Sequence, residues 1–388
     1  LQVPVTHGGA LHEGSGKIAG LDGLRALAIH LVILWHTATL TSFPQAALSW
    51  LKPLVLAGWS GVDLFFALSG FLITRLILLE EAASGGSFDL RAFYARRALR
   101  ILPASYLVLG LNLLAVRLPI LGPAVGDRVG GPLEVFSLFA YWSNYFFSFF
   151  TAANPAPALL LFWSLCVEEH FYLLWPFLLL AVKSSRTRLI MGLLLCGFFP
   201  LLRLTSPLGT GAVQTLSHLR LDSILWGALG ALAFDRVRSH PRESRTLLLV
   251  SGLAVVILFG AGLLSLSPGR VAHSFGLSLL AVFFTTLVVR TAAEPSGWLT
   301  RALEATPLRL VGRVSYGMYL LHMQCIVIVT AFVVRFERNA SLTLYLLVFV
   351  LSTFTTLAAA LAMYAGFEAR FLSLKSRFFR TPGRAPAE

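Results

Sequence analysis

Apolar runs of about 20 residues recur from one end of this chain to the other, and that repetition leaves few folds open. LDGLRALAIHLVILWHTATL (21–40) and LTLYLLVFVLSTFTTLAAALAM (342–363) are two of them. As helices, such runs cross a hydrocarbon core of ~30 Å. Inside that core every backbone amide must be satisfied internally, so only helices or a closed barrel can span it. Barrel strands of about ten residues with strict alternation are not what these runs show. Only 13% of the 388 residues are charged, against about 25% in soluble domains. The expected fold is an all-α polytopic membrane protein.

Spans are expected near 21–40, 55–79, 101–116, 159–182, 189–203, 213–234, 246–266, 271–290, 310–334 and 342–366, about ten transmembrane helices in all. The segment LEVFSLFAYWSNYFFSFF (133–150) is ambiguous, and charge decides it. If it does not span, both termini are cytoplasmic. One side then collects most of the Lys and Arg, including Arg75, Arg91, Arg96, Arg97, Arg100, Lys183, Arg186 and Arg188, the cluster 236–245 and the tail. That is the positive-inside pattern. Making 133–150 a span would move KSSRTR (183–188) outside, so 133–150 is read as interfacial or re-entrant. Its aromatics suit the membrane boundary. The net charge of +13 is thus attributed to orientation and to membrane lipids as partners, with no nucleic acid. The expected domains are a cytoplasmic N-terminal segment (1–20), a membrane domain (21–366) and a basic cytoplasmic tail (367–388). No cleavable signal peptide is expected, and the start at Leu1 points to a natural start further upstream. Cys166, Cys196 and Cys325 lie in apolar runs without a C-x-x-C motif and read as buried free thiols. No metal site is expected.

Ionisable side chains at helix centres cost roughly 2.5–3.5 kcal/mol each on insertion scales. Arg25, His36, Asp63, Glu168, Glu169, His170, Arg220, Asp222 and His322 must therefore pair or line a polar cavity. They act as interhelical glue or as a functional site. Arg25 and His36 are eleven residues apart, about three full turns, so they share a helical face ~16 Å apart along the axis. Histidine suits a general base near neutral pH. On the second run Asp63 lies near the outer end and Ser69 near the middle; Asp63 reads equally as the partner of a buried cation. Arg97 and Arg100, three apart in FYARRALRILPASY, can grip phosphate or lipid head groups.

In FWSLCVEEHFYLLWP (162–176), Ser164, Glu168, Tyr172 and Trp175 form one stripe. Glu168 is therefore the carboxylate expected in a cavity, with Trp163 nearby, and Glu169 the one expected to brace a neighbouring helix. Arg220 and Asp222 point about 200° apart and so require different helical partners. Ser315, Tyr319 and His322 share a face, with Tyr316 beside it.

These segments, taken in order, resemble the acyltransferase-3 family of integral membrane acyltransferases. GLDGLRALAIHLVILWHT is similar to its opening motif of a basic residue, ten others and a histidine. GVDLFFALSGFLI, FYARRALRILPASY, FWSLCVEEHFYLLWP, RLDSILWGALGA and SYGMYLLH are similar to its later motifs. The resemblance covers nearly the whole chain. His170 and Cys166 depart from common family residues, Gln and Ser. Some members carry an SGNH-type domain after the membrane part; the short tail here gives the expectation of a standalone form.

The resemblance implies transfer of an acyl group, usually acetyl, from cytoplasmic acyl-CoA to a hydroxyl of a cell-envelope glycan or lipid-linked sugar. A macrolide or other small molecule is an alternative acceptor. It also implies the bacterial inner membrane, and roles in activity for Arg25, His36, Arg97 and Arg100. The expected mechanism places the CoA phosphates on Arg97, Arg100 and Arg25. His36 serves as base, oriented by Glu168, and Tyr316 or His322 stabilises the oxyanion. Asp63, Ser69, Glu169, Tyr172, Trp163, Arg220 and Asp222 are expected around the substrates. The reading from another class is a proton-coupled transporter; a third is a binder of lipid or glycan without catalysis.

Overall fold

The computed structural model describes residues 18–41, 52–117, 131–150, 157–262, 269–335 and 341–378. Most of the expected N-terminal segment (1–17 of 1–20) and the last part of the expected tail (379–388 of 367–388) lie outside the described residues. All regular structure among the described residues is helical. The main helices are α1 (Leu21–Leu40), α2 (Gly61–Ala83), α3 (Leu90–Arg117), α4 (Pro132–Phe139), α5 (Ser143–Phe149), α6 (Phe162–Ala181) and α7 (Ser185–Thr205). They continue with α8 (Ser217–Leu232), α9 (Pro241–Gly260), α10 (Arg270–Ala293), α11 (Thr306–Arg313), α12 (Ser315–Val333) and α13 (Leu342–Met363). Nine helices among the described residues are long and apolar enough to cross a membrane. The chain is an integral membrane protein.

The sixth expected span, 213–234, differs from the expectation. It is cut into Thr210–Thr215 and the 16-residue α8, because Leu216 takes an extended backbone (φ −76°, ψ 129°) between them. The expected span 310–334 is likewise two helices, α11 and α12, broken at Val314. Segment 133–150 forms α4 and α5, of eight and seven residues, too short at ~1.5 Å per residue to cross. They are joined through Tyr141, whose φ is +54°. This hairpin is tied inward: Ser105 and Tyr141 hydroxyls lie 2.5 Å apart, and Asn144 Nδ2 donates to Ser217 Oγ at 2.9 Å.

Small residues set the centre of the bundle. A Cβ at Gly70 would strike the Ile224 carbonyl oxygen, and one at Gly227 would strike the Ala67 carbonyl oxygen. Helices α2 and α8 therefore touch backbone to backbone, as small-residue faces in membranes allow. Gly70→Val is expected to lower stability by about 1–3 kcal/mol through overpacking, read as a lower melting midpoint of the detergent-solubilised protein.

Arg188, which the charge pattern placed on the cytoplasmic side, and Arg203, at the expected end of a span, are both buried within the bundle. Arg188 donates to both Glu81 oxygens, at 2.7 and 2.8 Å, and to the Leu179 carbonyl at 2.6 Å. Arg203 sits in the last turn of α7, which runs past the expected end at 203. It donates to Asp222 Oδ1 and Oδ2 at 2.8 and 2.9 Å, to Ser278 Oγ and to the Ser274 and Leu219 carbonyls.

Candidate active site

Two of the cavities among the described residues are lined by the expected site residues. The first, about 130 Å³, is lined by Arg25 from α1, Ser69 from α2, Arg97 and Arg100 from α3, and Glu168 and Tyr172 from α6. Arg25 is held by Asp22 at 2.6 Å. Among the described residues, Arg97 Nε has no hydrogen-bond partner. Three guanidiniums gather around one hollow, with Asp22, Glu168, Glu169 and Glu368 as nearby carboxylates, and their N–H groups suit phosphate oxygens. The Tyr172 hydroxyl is hydrogen-bonded to Ser69 Oγ. Both hydroxyls and Arg97 are electrostatic partners of Glu168. Tyr316 also lines this cavity, with its hydroxyl donating to the Ile101 carbonyl at 2.9 Å.

The second cavity, about 310 Å³, lies toward the other end of α1 and is lined by His36, Asp63, Trp163 and Arg220. The two cavities share Val62 and Tyr319. The Tyr319 hydroxyl is fixed in that common wall by Ser164 Oγ at 2.6 Å and the Leu161 carbonyl at 3.2 Å. Ser164 also lines the first cavity.

The arrangement around His36 differs from the expected one. Glu168 faces the first cavity and His36 the second, and the ring that meets His36 is His322. His322 is wholly buried. Its Nδ1 lies 2.6 Å from the Tyr319 carbonyl oxygen. A carbonyl only accepts, so Nδ1 bears the proton and Nε2 the lone pair. That lone pair faces His36 Nδ1 at 3.2 Å, and the same Nδ1 lies 3.0 Å from the Val32 carbonyl. Both partners of His36 Nδ1 are acceptors, so it carries the ring proton. His36 Nε2 is left as a free lone pair on a residue that lines the second cavity. These tautomers are assigned from the hydrogen-bonding roles of the partners. His322 therefore takes the orienting position that had been expected of Glu168.

The remaining expected site residues divide clearly. Asp63 pairs with Arg220 at 2.7 Å. Asp222 pairs with Arg203 instead, so Arg220 and Asp222 do take partners on different helices. Asp222 belongs to the buried framework rather than to either cavity wall. Among the described residues Glu169 Oε1 is buried without a hydrogen-bond partner, so the brace to a neighbouring helix expected of Glu169 is not formed through that oxygen. His170 Nδ1 meets Ser217 Oγ at 2.6 Å, a packing contact. Cys166 faces Ser143 at 3.4 Å and lines neither cavity. Sequence reasoning missed the shared wall at Tyr319 and the indoles of Trp35 and Trp59 in the second cavity.

A family model described as an acyltransferase domain matches residues 18–365. The chain belongs to this acyltransferase family. Among curated relatives, the peptidoglycan O-acetyltransferase OatA of Listeria monocytogenes is 30% identical over 81% of this chain and 50% of that protein. The putative peptidoglycan O-acetyltransferase YrhL of Bacillus subtilis is 33% identical over 81% of this chain and 49% of that protein. The O-acetyltransferase OatA of Staphylococcus aureus is 28% identical over 82% and 52%. This acyltransferase chain thus spans about half the length of the curated relatives it matches. No solved structure matches it.

Proposed function

We propose that this chain is an O-acyltransferase of the bacterial cytoplasmic membrane. It moves an acetyl group from cytoplasmic acetyl-CoA to a hydroxyl of a cell-envelope glycan at the outer face. One observation carries the reading: an arginine-lined cavity and a histidine-lined cavity approach from opposite ends of α1 and meet at Tyr319 and Val62. The relatives that modify peptidoglycan support a glycan as acceptor.

The CoA phosphates lie on Arg97, Arg100 and Arg25, and the pantetheine arm runs into the first cavity toward the shared wall. Arg25 and His36 are ~16 Å apart along the helix axis, a span that an extended arm of this kind covers. The acceptor hydroxyl enters the second cavity and gives its proton to His36 Nε2 as its oxygen attacks the thioester carbonyl. The tetrahedral intermediate collapses with cleavage of the C–S bond. The proton passes from His36 to the departing thiolate, and CoA leaves as the thiol. The Val32 carbonyl and His322 together hold His36 in the tautomer this requires.

Arg97→Ala and Arg100→Ala should each raise KM for acetyl-CoA by about tenfold or more, because charge-assisted hydrogen bonds contribute about 1.5–3 kcal/mol. Steady-state kinetics with varied acetyl-CoA checks this. The function itself is tested by incubating the purified protein with radiolabelled acetyl-CoA and solubilised envelope glycan. Label in the glycan as an alkali-labile ester is expected; label that never leaves acetyl-CoA overturns the reading.

A further inference from the structure

We propose that Arg220 and Asp63, with the indoles around them, form a sugar-binding subsite in the second cavity, selective for a pyranose of gluco configuration. This rests on the O-acyltransferase reading and adds to it what the acceptor side recognises. Asp63 and Arg220 are 0% and 1% exposed. Asp63 Oδ1 accepts from Arg220 Nη2 at 2.7 Å and from Ser223 Oγ at 3.1 Å. Among the described residues, Asp63 Oδ2 and Arg220 Nε and Nη1 have no hydrogen-bond partner; the guanidinium also lies over the Phe66 ring, 5.8 Å from its centroid. Leaving a buried polar group unsatisfied costs about 1–3 kcal/mol, and more for a charged one. The neighbouring pair Arg203–Asp222 shows what a framework ion pair in this bundle looks like. There Nε, Nη1 and Nη2 of the arginine and both carboxylate oxygens are all engaged. Arg220–Asp63 differs in having spare capacity, and both of its residues line the cavity that His36 lines.

The chemistry of that capacity specifies a ligand. The pair carries no net charge, so it suits a neutral group rather than an anion. It offers donors on Arg220 and an acceptor on Asp63, the complement of adjacent hydroxyls that each donate and accept. Trp35, Trp59 and Trp163 line the same cavity. Indole faces pack against apolar C–H surface and leave polar groups to specific hydrogen bonds. A gluco-configured pyranose meets both demands. Its hydroxyls are equatorial, at the ring edge, and its faces present axial C–H bonds. Bound between the indoles, with adjacent hydroxyls on Asp63 and Arg220, it offers a further hydroxyl to His36.

The test uses the full chain in lipid nanodiscs and chitotetraose as probe, read by tryptophan fluorescence and by acetyl-transfer kinetics. Wild type should show saturable fluorescence change. Asp63→Asn and Arg220→Gln should weaken chitotetraose binding and raise its KM by about tenfold or more, with KM for acetyl-CoA within about twofold of wild type. A β-1,4-linked galactose tetramer, with one axial hydroxyl per ring, should bind about tenfold more weakly. Trp163→Leu, which leaves the ion pair intact, should weaken binding of chitotetraose and keeps the test decisive if a charge variant does not fold. No saturable change in wild type overturns the subsite, as do unchanged affinities in the variants or acceptor and donor KM rising together. Equal binding of the two tetramers overturns the gluco selectivity. Binding that depends on Asp63 without acetyl transfer would overturn the O-acyltransferase reading and leave the subsite standing. Transfer with variant affinities like wild type would do the reverse.

Discussion

His36→Ala lowers the rate of acetyl transfer by about 10³–10⁴-fold while leaving the melting midpoint near that of wild type. General-base catalysis contributes about 10²–10⁴, and the upper part of that range applies because, among the described residues, no other unprotonated imidazole lines the cavity. His322 is wholly buried, and the lone pair on its Nε2 faces His36 Nδ1 rather than the cavity. Asp63 in the same cavity is paired with Arg220. Glu168 faces the other cavity. His322→Leu removes one of the two acceptors at His36 Nδ1 and leaves the Val32 carbonyl, so the ring keeps its tautomer but loses a side-chain anchor; it should cost about 10–100-fold, less than loss of the base itself. Pre-steady-state transfer from radiolabelled acetyl-CoA measures both. His36→Ala with more than a tenth of the wild-type rate would contradict the assignment.

Asp222→Ala destabilises the protein by about 3–5 kcal/mol, the usual consequence of removing one partner of a buried pair. Arg203 and Asp222 have fully buried side chains. Arg203 joins α7 to α8 and, through the Ser274 carbonyl and Ser278, to α10. Without Asp222 the guanidinium keeps its carbonyl and hydroxyl partners but loses its counter-charge. Asp222→Asn keeps the shape and one oxygen acceptor and should cost less. Fluorescence-detected size-exclusion chromatography after heating gives the ranking. The expected order of midpoints is wild type, then Asp222→Asn, then Asp222→Ala. An Asp222→Ala midpoint equal to wild type would show that the pair is not structural.

The membrane spans were legible because hydrocarbon thickness and helical rise leave little freedom in length. Their ends were less so. The break at Leu216 and the extension of α7 to Thr205 reflect packing of one helix against others, and a single helix carries no record of that. The same limit governs the site. Ser164, Glu168 and Tyr172 line one cavity, because a stripe is a property of one helix, while Trp175, the fourth member of the stripe, lies outside it and donates to Thr74 Oγ1. The meeting of His36 with His322 joins α1 to α12, residues 286 apart in sequence. Periodicity could mark each histidine as a candidate but could not bring them together. The role of Arg203 was not legible because a cation at the end of an apolar run shows no partner until the helix that carries Asp222 is placed beside it.

The central claim is that donor and acceptor occupy cavities reached from opposite sides of the membrane. Sealed proteoliposomes of one orientation, with radiolabelled acetyl-CoA confined to the arginine side and solubilised glycan to the histidine side, test it directly. The account predicts labelled glycan on the histidine side, and no transfer when both substrates are confined there. Transfer only when donor and acceptor share one compartment would contradict it.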